Sequence, residues 1–117
     1  MQTPSNITLN KAKNFLTLTF GDIEYPLAAE YLRVHSPSAE VVGHGPGQET
    51  LQIGKENVTI KRIEPTGNYA IVLFFSDGHD SGIYSWEHLY NLATEYEVRW
   101  SNYLTRLKDA GHSHKQH

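Results

Sequence analysis

Pro65-Thr66-Gly67-Asn68-Tyr69-Ala70-Ile71-Val72-Leu73-Phe74-Phe75 is a turn sequence feeding a run apolar enough to be a central strand. Val58 to Ile63, on the other side of that turn, alternates apolar and polar residues, so the two segments predict an antiparallel pair. Downstream, Ser76-Asp77-Gly78 is a second turn and Gly82-Ile83-Tyr84 a further short strand. Beyond it the period changes. Trp86, Leu89, Ala93, Tyr96, Trp100, Tyr103 or Leu104, and Leu107 fall at steps of three and four, the apolar face of an amphipathic helix. Ser85 suits its N-cap, and Thr94 with Glu97 forms a capping-box pattern that predicts a kink or break at residues 93–95.

Upstream, Ile7 to Asn10 and Phe15 to Phe20 read as strands, and Leu16, Leu18 and Phe20 alternate with Thr17 and Thr19. Gly21-Asp22 turns the chain into a short strand at Ile23-Glu24-Tyr25, and a helix is expected from Leu27 to His35, stopped by Ser36-Pro37-Ser38. Leu51-Gln52-Ile53 is expected as a brief strand. The fold class is therefore α+β: a small, mainly antiparallel sheet, one short early helix, and a helical C-terminal third packed on it. Residues 1–111 are expected to form a single domain, and residues 112–117, three of them histidines, a disordered tail.

Composition excludes several functions. The chain has 117 residues, no cysteine, and ten basic against thirteen acidic side chains. Without thiols there is no disulfide scaffold, thiolate nucleophile or cysteine-held metal. The scattered Lys and Arg argue against nucleic acid, and no apolar run approaches the roughly 20 residues of a membrane helix. No secretory signal is visible at the N-terminus, so a cytoplasmic location is expected.

Three features could carry chemistry. Asp77-Gly78-His79-Asp80-Ser81 holds the residue types of a nucleophile, a base and its orienting carboxylate, which raises a small hydrolase on His79 and Ser81. Neighbours in one short loop rarely achieve that geometry, so a hairpin turn in which Asp77 bonds backbone amides is expected, with no catalytic residues. Seven histidines make a metal site conceivable from His79, His35 and His44, although no ligand-spaced pair lies in the folded part. Gly43-His44-Gly45-Pro46-Gly47 lacks the strand-to-helix context of a phosphate-binding loop and reads as a connection. No cofactor is expected.

The segments Tyr31-Leu32-Arg33-Val34-His35-Ser36-Pro37-Ser38, Gly43-His44-Gly45, and Asp77-Gly78-His79-Asp80-Ser81-Gly82-Ile83-Tyr84-Ser85-Trp86 together resemble the gamma-butyrobetaine hydroxylase-like N-terminal domain family. The resemblance runs from about Phe15 to Leu107. In the hydroxylases this domain precedes a separate catalytic domain, for which the chain has no room, so it implies no hydroxylation here. It also implies a zinc held by three cysteines and a histidine, at positions that match Ser36, Ser38, approximately Val41, and His79. Serine is a poor zinc ligand and valine none. Similar domains attached to Mrp-type P-loop proteins imply an accessory role near iron–sulfur assembly. The resulting expectation is a non-enzymatic cytoplasmic interaction module acting on a protein partner, with a link to iron–sulfur or metal homeostasis, and a histidine-based metal domain as the alternative.

Overall fold

The computed structural model describes residues 3–43, 50–112 and 114. The first half of the chain is the meander β1 (Asn6–Leu9), β2 (Phe15–Phe20) and β3 (Ile23–Ala28), antiparallel in the order β1-β2-β3. The period-2 pattern of β2 sets its faces: Leu16, Leu18 and Phe20 are buried while Phe15 is exposed. At the β1–β2 turn, Asn10 Oδ1 accepts from the amides of Asn14 and Phe15. The chain then forms α1 (Ala29–Val34) and, after Ser36-Pro37, the single turn α2 (Ala39–Val42).

The second sheet is β4 (Ile60–Thr66), β5 (Ala70–Phe75) and β6 (Ile83–Ser85), again antiparallel, with β5 central. The α+β expectation holds, and the strands divide between two sheets joined by the Ile60 amide, which donates to Lys13 O at 2.8 Å. One core serves both: Leu16, Leu18 and Leu27 of the first sheet pack with Ile60, Leu73 and Phe75 of the second. At ~1.5–3 kcal/mol for each large apolar side chain removed from water, this shared core is the main force holding the sheets together.

The helical third is α3 (Trp86–Thr94) and α4 (Tyr96–Asp109), with the break at Glu95 inside the expected window. Ser85 caps α3, its Oγ accepting from the His88 amide at 3.0 Å. The capping box does not form: the Thr94 hydroxyl instead donates to Tyr90 O at 2.9 Å, closing α3 rather than opening α4. Glu95, at φ −107° and ψ 20°, stays close enough to helical geometry for its carbonyl to accept from the Arg99 amide, so α4 starts without a side-chain cap. Of the two candidates on the stripe, Tyr103 is buried and Leu104 only half so. The expected strand at Leu51-Gln52-Ile53 is irregular, because no neighbouring strand receives it and the Tyr103 hydroxyl takes the Gln52 carbonyl at 2.6 Å. Two further tyrosines pin elements in the same way: Tyr31 donates to Leu92 O and Tyr84 to Leu32 O, both at 2.6 Å. No helix among the described residues is long and apolar enough to cross a membrane.

Candidate functional site

Two segments far apart in sequence meet along a seam: the end of α1 through α2, and the turn from β5 into β6. Proline at 37 breaks the helix, which leaves the hydroxyls of Ser36 and Ser38 free of helical duty, and Ser38 N-caps α2 by accepting from the Glu40 amide at 3.3 Å. Opposite them, Gly78 at φ +89° makes the tight turn and the Phe75 amide donates to His79 O, which aims the His79 ring inward. Side-chain links then cross the seam. Arg33 Nε donates to Asp77 Oδ2 at 2.9 Å, His79 Nε2 lies 2.8 Å from Ser36 Oγ, Ser38 Oγ lies 2.8 Å from Ser81 Oγ, and Tyr84 donates to Leu32 O.

The electrostatics follow from burial. His79 is 6% exposed, and burial and then the Arg33 charge hold its imidazole below the usual histidine range. The neutral ring therefore donates Nδ1–H to Glu40 Oε2, 3.3 Å away, and accepts at Nε2 from the Ser36 hydroxyl. Burial by itself would raise the Asp77 carboxyl. Hydrogen bonds from Lys55, the His79 amide and Arg33 outweigh that and hold it at about 2.

Ser36, His79 and Glu40 thus stand in the order of a nucleophile, a base and an orienting carboxylate. The chemistry does not follow, because Ser36 has no exposed surface and Gly82 lies against its hydroxyl. A substrate carbonyl needs to come within about 3–3.5 Å of the nucleophile, and there is no space for one. Ser81, the residue raised beside His79 from sequence, pairs with Ser38 instead.

The packing at Gly82 makes a sharp prediction. A Cβ there would lie 2.3 Å from Ser36 Oγ and 3.3 Å from Pro37 Cδ, so Gly82→Ala must push the Ser36 hydroxyl off His79. We expect a loss of about 2–3 kcal/mol in urea unfolding, the combined cost of overpacking and a broken buried hydrogen bond. An unchanged midpoint would show that the seam yields freely.

The positions that the resemblance equates with zinc ligands do converge in part. Ser36 meets His79 directly, the Ser38 amide donates to Ser36 Oγ at 3.3 Å, and Val41 is buried nearby in α2. Two hydroxyls, a valine and an imidazole already committed at both nitrogens do not fit a zinc ion. Among the described residues there is no group of three or more His, Cys, Asp or Glu side chains that could hold a metal. His35 lies elsewhere, at the end of α1, with Nδ1 donating to Tyr31 O at 2.9 Å, and His44 falls outside the described residues. Of the tail, His114 is described, its Nε2 sitting 2.6 Å from Glu30 Oε2.

Sequence reasoning missed Arg33, Glu40 and Lys55 at this seam. A guanidinium on the buried side of a short helix carries no sequence signal of its own, and pairing across 44 residues is invisible without the fold.

Comparison with known proteins follows the same segments. The family model described as "Gamma-butyrobetaine hydroxylase-like, N-terminal" matches residues 7–90. Two proteins with NMR solution structures are similar over 97% of this chain. The first is 53% identical with a TM-score of 0.84 over 90% of its own length, the second 44% identical with 0.80 over 85%. A crystal structure of a protein of unknown function in the DUF971 family, from Acidithiobacillus ferrooxidans, is 34% identical with a TM-score of 0.63, covering 79% of this chain and 93% of that one. No curated protein matches.

Proposed function

Because this chain belongs to the gamma-butyrobetaine hydroxylase-like N-terminal family, we propose that it acts as a non-enzymatic interaction module for a protein partner. The observation that supports the reading is the surface at the α3–α4 break. Val98 is 65% exposed and Tyr96 38%, and two adjoining hollows of about 430 and 420 Å³ meet at Tyr96 and Glu97. Tyr25, Pro26 and Ala93 line the first, and Trp100 and Leu104 the second. Exposed aromatic surface with an apolar floor is what partner proteins bury. Glu24, Glu95 and Glu97 rim the first hollow, so the fitting partner is an apolar segment flanked by basic residues. A link to iron–sulfur or metal handling would run through that partner, since the chain contributes no thiolate.

Photo-crosslinking in cells tests the proposal. A photoreactive residue at Glu97 should give a discrete protein adduct that the same residue at Lys61, exposed on β4, does not. Val98→Asp, at a position too exposed to disturb the core, should reduce the adduct about tenfold. Equal labelling from both positions, or none from Glu97, overturns it.

A further inference from the structure

A cavity of about 180 Å³ lies between α1, α2, α3 and α4. Arg99, Tyr103 and Arg106 reach it from one face of α4 at i, i+4 and i+7, and His35 and His88 line it from α1 and α3. Val34, Val41 and Val42 supply an apolar wall, and no acidic side chain is among the described lining residues. The chain as a whole carries a net charge of −3, so two guanidinium groups beside one small cavity concentrate positive potential against the overall balance.

We infer that this cavity is a binding site for a short-chain organic carboxylate, its head on Arg106 and Arg99 and its hydrocarbon on the valine wall. The size agrees: about six water volumes accommodate a molecule of about six heavy atoms. Guanidinium groups match a carboxylate's two oxygens, and Arg106 has an exposed side chain free to close on one. Arg99 gives its Nε to Glu95 at 2.9 Å, which leaves its other N–H groups for the head. A phosphate would put charge against the valines with nothing apolar to offer them.

The histidines couple the site to protons. His35 Nδ1 donates to Tyr31 O and His88 Nε2 to His35 O, both at 2.9 Å, so one nitrogen of each ring remains to take up a proton. Facing these rings are Tyr31 from α1, Tyr84 from β6 and, from α4, Arg99, Arg106 and Tyr103, with Glu95 bound to Arg99. Burial first, and then the Arg99 charge, depress both imidazoles, and Arg106 adds to this at His35. A bound anion offsets the guanidinium repulsion, so both rings take up protons more readily when the site is filled, and by linkage the ligand binds more tightly as pH falls.

The probe is sodium butyrate, followed on the side-chain NMR resonances of His35 and His88 in the full chain, with inorganic phosphate and choline chloride as controls at matched ionic strength. Butyrate should shift both rings saturably, raise their titration midpoints and bind several-fold more tightly at pH 6 than at pH 7.5. Arg106→Gln should weaken binding about tenfold. Arg62→Gln, an exposed guanidinium on β4, should leave it unchanged. No saturable shift with butyrate, phosphate acting as strongly as butyrate, or an Arg106→Gln response equal to wild type overturns the inference. These readouts involve neither Glu97 nor Val98, so they stand or fall apart from the partner surface.

Discussion

Asp77→Ala will cost the domain about 3 kcal/mol of folding free energy, the usual consequence of removing one partner from a buried ion pair. The Arg33 side chain is only 8% exposed, and its Nη1 already lacks a hydrogen-bond partner among the described residues. Asp77 is its counter-ion and also accepts from Lys55 at 2.6 Å and from the His79 amide at 3.2 Å. Lys55 can turn to water when the carboxylate goes, because its stem is flexible. Arg33 cannot, because α1 holds it under the turn. Asp77→Asn keeps an acceptor for the His79 amide and should cost less, about 1–2 kcal/mol. The double variant Arg33→Met, Asp77→Ala removes the stranded charge and should recover most of the loss. Urea unfolding of the four proteins at pH 7 decides it. A loss below about 1 kcal/mol in Asp77→Ala would mean that the pair is solvated like a surface bridge.

Mild acid will also destabilise the domain. His35, His79 and His88 are each held neutral in the fold, His35 down to about 4 by burial and then Arg99, and the other two depressed chiefly by burial. Unfolded histidine titrates near 6.5, so the unfolded chain takes up protons that the folded one refuses. A depressed base contributes its full stability above the unfolded value and loses it as pH falls toward the folded one. For His35 this amounts to at most about 2 kcal/mol at pH 5, an upper bound because the ring is partly exposed. His79 and His88, depressed in the same direction, add to that loss between pH 7.5 and pH 5. Asp77 does not add to this, since its contribution is lost only below about 4. Glu30, pushed up by burial, acts the other way and offsets part of the loss. Urea melts at four pH values across the window measure it, and His35→Gln should flatten the curve. A flat wild-type profile would contradict the burial of all three rings.

Much of the architecture was legible because local patterns write it directly. Alternation marks β2, the turn at Gly67 and Asn68 pairs β4 with β5, and steps of three and four mark α3 and α4 with Ser85 as cap. Thr94 misled because S/T-x-x-E describes an N-terminus only when the chain enters from outside a helix, and here it arrives from α3. Leu51 to Ile53 misled because a strand needs a neighbour, which no short segment specifies about itself.

The sequence alone determined the periods, the turns, the absence of thiols and the two segments that meet at the seam. Each is a local or compositional property, set within a few residues. It also placed Ser36, Ser38 and His79 together through resemblance. Only the tertiary structure decided what they do there. Ser36 bonds His79, Ser81 turns to Ser38, and Arg33 finds Asp77 across 44 residues. Those pairings depend on which backbone comes within about 3 Å of which, and the shared core of two separate sheets sets that distance.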